Sequence, residues 1–183
     1  MTLIVEDGSL VPGADSFVSL AEADSYLAKR GRGNWPPAPA QGTDPETTRK
    51  QAALIRAADY LNGLNWKGRK LSGRVLAWPR AEVVDEDGRA VPETEVPEAV
   101  RAAACRLAEL ILSGTELQPL LPRGGAIKSE SAGTLSVTYE SGADYRDLPS
   151  FLPDLLKGLT LTKDEETAAT VSAALTIHRA VTA

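Results

Sequence analysis

Apolar positions recur at a helical spacing through the first two thirds of the chain and at a strand spacing just after them. Leu20, Ala23, Tyr26 and Leu27 share one face of a predicted helix. Ser19 stands three residues before Glu22, the capping-box spacing in which hydroxyl and carboxylate each satisfy a free backbone donor, and Gly31 is the stop. Ala53, Leu54, Ala57, Ala58 and Leu61 form the stripe of a second helix, predicted to run from Asp44–Pro45 to about Asn62 with Gly63 as its end. On that pattern Arg49, Lys50, Arg56 and Asp59 face water. A third helix runs from Pro97 through Val100, Ala103, Ala104, Leu107, Leu110 and Ile111 to Ser113–Gly114, with Glu98, Arg101 and Glu109 on its wet side. Cys105 lies within it and reads as a small core residue.

The segments between are of other kinds. Gly8, Pro12 and Gly13 interrupt any helical pattern before Phe17, which predicts an extended N-terminal arm. Gly33, Pro36, Pro37, Pro39 and Gly42 predict an exposed loop between Arg32 and Thr43, with Trp35 as a contact residue. Leu135, Val137 and Tyr139 alternate with polar residues, and Ala126 to Glu130 precedes a Ser131-Ala132-Gly133 turn, so a β-hairpin is expected over about 126–140. Pro149 to Gly158 offers a short helix. Thr162 and Glu165 repeat the capping-box spacing ahead of a terminal helix, although the β-branched content from Val171 to Val181 leaves a strand open there. The expected fold is mainly α: a small helical bundle with a β-hairpin, an extended N-terminal arm and a C-terminal tail. Residues 1–158 would be one domain and 159–183 a docking tail.

Composition narrows the function. With 183 residues and 43% hydrophobic content the chain supplies one core. Its net charge of −5 gives no global attraction to nucleic acid, so any such contact must be local. No apolar stretch approaches the ~18 to 20 residues of a membrane helix, and the start lacks the basic and apolar runs of an export signal, so a soluble, unexported chain is expected. One cysteine and one histidine, Cys105 and His178, leave no zinc cluster and no nucleophilic triad. Asp85, Glu86 and Asp87 before Gly88 resemble the start of a calcium loop, but the twelfth position is Val96 rather than glutamate, so a solvated turn is expected. No pair of carboxylates is singled out. The expectation is a protein without catalytic residues, metal or cofactor.

The most distinctive stretch is Trp66-Lys67-Gly68-Arg69-Lys70, followed by Arg74 and by Trp78-Pro79-Arg80. Two indoles among five cations are what a single-strand binder uses, rings to stack bases and cations to neutralise phosphates. The alternative is that both indoles anchor an irregular connection against the helices while the cations stay wet.

Gly13-Ala14-Asp15-Ser16-Phe17-Val18-Ser19-Leu20-Ala21-Glu22-Ala23-Asp24, Trp66-Lys67-Gly68, Leu76-Ala77-Trp78-Pro79-Arg80, Asp87-Gly88 and Val96-Pro97 together resemble the tailed-phage head-tail connector (adaptor) family. Some of its members are catalogued as DnaT-like single-stranded DNA-binding proteins. The resemblance spans about residues 3 to 158. It implies a structural virion protein that forms a homo-oligomeric ring, a dodecamer, between the portal protein and the next neck or tail component, a stopper or tail terminator. It also implies a location at the head-tail junction, with the host cytoplasm as the place of assembly. Double-stranded DNA would pass through without tight binding, which the acidic balance suits, since a cationic lining would hold phosphates. The portal or subunit interface is expected at Leu175, Ile177, His178 and Arg179 of the tail and at Trp35. Trp66, Lys67, Gly68, Arg69, Trp78, Pro79 and Arg80 are expected as interface or structural positions. The alternative function is a single-stranded DNA-binding module of phage replication.

Overall fold

In a computed structural model of the chain, residues 2–36, 45–71, 73, 75–117, 129–132, 135–138, 149–162 and 165 are described. Their order is α1 (Leu20–Ala28), α2 (Pro45–Asn62), β1 (Arg69–Lys70), β2 (Arg80–Ala81), α3 (Glu98–Leu112), β3 (Ser129–Ala132), β4 (Leu135–Thr138) and α4 (Leu152–Leu155). The fold is mainly helical with a small antiparallel hairpin, as the periodicity predicts.

The centre is the pair α2 and α3, with α1 and α4 packed on α3. Alanines at 57, 58, 103 and 104 are fully buried, and their small side chains let the helices approach while Leu54, Leu61, Val100 and Leu107 fill the space around them. Each of those large side chains contributes roughly 1.5–3 kcal/mol by leaving water. The Ser19–Glu22 capping box at the start of α1 forms, with the Glu22 amide donating to Ser19 Oγ at 3.2 Å and the Ser19 amide to Glu22 Oε2 at 2.8 Å. Helix α3 ends at Ser113 and Gly114, the glycine taking φ 91°.

Two expectations about exposure change on these helices. Lys50 is completely buried and Glu109 is 5% exposed, although both were expected to face water. Each was assigned by its charge, yet Lys50 lies four positions before Leu54 and seven before Ala57, which is the buried stripe of α2. Ion pairing makes the burial tolerable: Glu109 lies 3.6 Å from Arg32, and Lys50 is paired as described below. The N-terminal arm does not project. It doubles back through a parallel bridge between Val5 and Ser16, the Glu6 amide donating to the Ser16 carbonyl at 2.9 Å, and it delivers Phe17 and Val18 to the core.

The β3–β4 register pairs Ser129 with Thr138 and Ala132 with Leu135. Ser131 and Ala132, expected in the turn, therefore belong to the strand. Asp85 to Arg89 forms the expected turn, its Asp85 Oδ1 accepting the Asp87 and Arg89 amides at 3.0 and 2.8 Å. The packed body also continues past residue 158, the expected end of the domain. Leu159 is buried, and 159–161 lies along 65–67 through an antiparallel Trp66–Thr160 bridge and the bonds Lys67 N to Leu159 O (2.9 Å) and Leu161 N to Asn65 O (2.8 Å).

Candidate functional site

The tryptophan-and-cation stretch folds as a short ribbon, β1 paired with β2 in the register Arg69–Ala81 and Lys70–Arg80. Gly68 enters it at φ 69°, and a β-carbon there would overlap the Ala81 carbonyl oxygen and the Val83 side chain. Only glycine meets both conditions. This explains the Trp-Lys-Gly order locally: the chain must turn tightly after Trp66 to lay Arg69 beside Ala81.

Both indoles point inward. Trp78 is 0% exposed and Trp66 6%, their rings meeting edge to face with centroids 5.5 Å apart at 89°. Trp66 Nε1 donates to the Leu61 carbonyl at the end of α2 at 2.8 Å, and Asn62 Oδ1 accepts the Ala77 amide at 2.6 Å, so the ribbon is bound to that helix end at two points. Pro79 is buried and follows a cis peptide bond. Trp78 Nε1 meets no acceptor among the described residues.

Arg80 is the staple. Its Nε donates to the Lys67 carbonyl at 2.7 Å, its Nη2 to the Gly68 carbonyl at 2.9 Å and its Nη1 to the Ala77 carbonyl at 3.4 Å. Burial lowers its pKa from the ordinary arginine value. Among the other cations, Lys67 pairs with Glu165 at 3.2 Å, and Lys70 Nζ donates to the Val75 carbonyl at 3.2 Å. Arg69 sits 3.5 Å from Glu82, with both side chains mostly in water. Arg74 lies outside the described residues. Burial of both rings matches the anchoring alternative, and neither ring presents a face to solvent. Arg69 and Lys70 are the cations left exposed on the ribbon.

Trp35, expected as an exposed contact, is 6% exposed. Its Nε1 donates to Asp24 Oδ1 at 2.6 Å, the same oxygen receives Lys50 Nζ at 2.7 Å, and Nζ stands 5.0 Å from the indole centroid. The indole thus roofs a buried ion pair joining α1 to α2, which is why it is drawn out of solvent. Leu175, Ile177, His178 and Arg179 lie outside the described residues. The capping box ahead of them is formed, Glu165 Oε2 accepting the Thr162 amide at 2.8 Å and the Glu165 amide donating to Thr162 Oγ1 at 3.3 Å. Those bonds hold the Glu165 carboxyl below the usual carboxylate range, with the Thr162 amide the main cause.

Two hollows lie among the described residues. One of about 410 Å³ lies between the N-terminal segment and the start of α3, lined by Val5, Phe17 and Val96 with Glu6, Glu22 and Arg101 among its polar groups. The other, about 170 Å³, lies between the C-terminal ends of α2 and α3. Neither was visible in the sequence, because each is made by residues from separate segments. Among the described residues no group of three histidine, cysteine or acidic side chains is placed to hold a metal ion.

No curated protein and no solved structure matches the chain. Residues 1–180 match the family described as "Putative DnaT-like ssDNA binding protein". That match runs from the doubled-back arm through the tryptophan ribbon and far into the C-terminal tail, so this chain belongs to the DnaT-like ssDNA binding protein family.

Proposed function

We propose that this protein acts by geometry rather than by catalysis: it is a structural subunit that assembles with copies of itself into a ring, the head-tail adaptor its motifs resemble. The observation that carries the reading is the inward packing of Trp66 and Trp78 with Arg80 spent on three backbone carbonyls. The distinctive motif is thereby a clamp that shapes the body, and neither ring is free to stack on a base. The net charge of −5 supports a component that lets DNA pass without gripping it. In this reading the tail beyond Leu161 engages the portal, and another face receives the next neck component. A chain ending at Leu161 keeps every bond between 159–161 and 65–67, so it should melt as the full chain does yet be missing from portal-containing particles. Normal incorporation of that truncation defeats the docking assignment, and mature virus lacking the protein defeats the adaptor reading.

The family's description favours a second reading, a single-stranded DNA-binding module. With the rings buried, binding would rest on the exposed cations Arg69 and Lys70 and would fall steeply with salt. Fluorescence anisotropy with a labelled oligonucleotide separates the readings. Binding near physiological salt that is lost in Arg69→Glu/Lys70→Glu supports the second, and no binding to single strands eliminates it.

A further inference from the structure

A second group of cations lies away from the tryptophan ribbon, where α1 meets α3. Lys29-Arg30-Gly31-Arg32 follows the last turn of α1, and the glycine sets its path. Gly31 takes φ 61° with open space where a β-carbon would stand, and the Arg32 amide donates back to the Leu27 carbonyl at 3.2 Å. That left-handed turn ends the helix and brings Arg32 over to α3, its Nη1 lying 3.6 Å from Glu109 Oε2. Arg106 stands three positions before Glu109 on the same side of α3. Three guanidiniums, of Arg30, Arg32 and Arg106, thus gather about one carboxylate.

Unlike Arg80, none of the three is fully engaged by the fold. Arg30 is exposed and sits over the Tyr26 ring, 3.5 Å from its centroid, with Nη1 donating to the Tyr26 carbonyl at 3.2 Å. Arg32 keeps 40% of its side chain in solvent despite its pairing with Glu109. Arg106 is the most telling. It is half-buried, its guanidinium stands 3.8 Å from the Phe151 centroid, and among the described residues it makes no ion pair and no hydrogen bond, its buried Nε included. Burial first, and then Arg32 and Arg30, lower its pKa from the ordinary arginine value, with Tyr26 and Glu109 opposing. The dipole of α1 accounts for a cation at the end of that helix, and ring stacking accounts for the path of the Arg106 stem. Neither supplies an acceptor for the Arg106 N–H groups. A half-desolvated cation beside like charges is what an anion from outside would stabilise.

We propose that Arg30, Arg32 and Arg106 form a phosphate-binding patch for the backbone of a single nucleic-acid strand. Guanidinium forks match the paired oxygens of a phosphate, and stacking on Tyr26 and Phe151 holds two of the three in place before the strand arrives. In a chain of net charge −5 attraction to phosphate has to be local, and here three cations face the single carboxylate of Glu109. Tyr26 backs Arg30 on one side, so the outer face of that guanidinium is open to a base, a contact that carboxylates of an acidic peptide do not make. The inference rests on the single-strand reading above and moves its main contact from the ribbon to the junction of α1 and α3.

Fluorescence anisotropy with a labelled oligothymidylate across a salt series tests it on wild type and Arg30→Gln/Arg106→Met. The variant should bind at least tenfold more weakly and flatten the slope of log K against log salt by about 1.4, two phosphates at ~0.7 each on a single strand. Arg30 is exposed, so Arg30→Gln alone leaves the core intact and should flatten the slope by about 0.7. Arg106→Met keeps an apolar stem against Phe151 and abandons no partner, so it should melt no lower than wild type. Binding that survives in Arg30→Gln/Arg106→Met overturns the patch and leaves the single-strand reading standing. Wild type that binds no strand overturns both. Polyglutamate that competes as well, charge for charge, as unlabelled strand overturns the phosphate assignment in favour of an acidic protein segment.

Discussion

The buried pair Asp24–Lys50 under Trp35 makes a quantitative demand on stability. Lys50 is entirely out of water, whereas the Asp24 side chain keeps 19% of its surface exposed, so the two halves of the pair are not equivalent. Asp24→Asn removes the counter-charge and leaves an ammonium with no solvent around it. Breaking a buried pair in this way costs about 3–5 kcal/mol, and the partial hydration at Asp24 places the expected loss near the lower figure, about 3 kcal/mol. Lys50→Met keeps an apolar stem of similar length and leaves a carboxylate that still reaches water and still accepts from Trp35, so about 1–2 kcal/mol is expected. The double variant replaces the pair by neutral groups and should lie within about 1 kcal/mol of wild type, a coupling of at least ~2 kcal/mol. Urea unfolding with a shared slope measures all four proteins. If Asp24→Asn costs less than about 1 kcal/mol, or if the two single losses simply add, the pair is not the electrostatic unit described.

Other consequences can be checked on the same purified chain. Gly8→Ala forces a β-carbon into the Thr94 carbonyl at φ 110° and should cost at least about 2 kcal/mol, whereas Gly88→Ala, with φ 79° but open space, should cost only about 1. Ser19→Ala should lose about 1 kcal/mol by removing the α1 cap. The Ser19 amide, with help from the Ser19 hydroxyl and Arg101, holds the Glu22 carboxyl below its ordinary range, so its contribution is present above the unfolded carboxylate pKa and fades as pH falls through the lower folded value. Glu22→Gln should accordingly be less stable than wild type at pH 7, with the gap shrinking below about pH 4. Burial pushes the Cys105 thiol up to about 12, so at pH 8 a thiol reagent should label it only as fast as the chain opens. Labelling in the folded protein at the rate of a free thiol would contradict that burial.

How far the sequence could be read follows from which forces act locally. Capping boxes, glycine stops and apolar stripes are decided within a turn or two of helix, and α1, α2 and α3 appear where those signals put them. Lys50 and Glu109 show the limit. Lys50 stands on the buried stripe of α2 and Glu109 opposite the stripe of α3, both carry a charge that argues for water, and the deciding partners, Asp24 and Arg32, come from other segments. The tryptophan stretch was recognised as distinctive, yet its two meanings differ only in which way the rings point, and that depends on the end of α2. The doubled-back arm was missed because Gly8 and Pro12 signal a break in helix without saying what the chain does next. Its cause is the meeting of Glu6, Gly8 and Thr94, which no local pattern encodes.

The seam between 159–161 and 65–67 fixes where this polypeptide can be cut or extended. Thr160 faces Trp66 across a strand-like bridge, and the flanking amides and carbonyls at Leu159, Leu161, Asn65 and Lys67 are exchanged between the two segments. A reporter or affinity handle joined after residue 162 leaves that seam sewn, while one placed only four residues earlier would unpick the wall behind the first indole and release Leu159 from the interior. Residues 159–161 are masonry, and whatever is joined beyond them hangs from that seam.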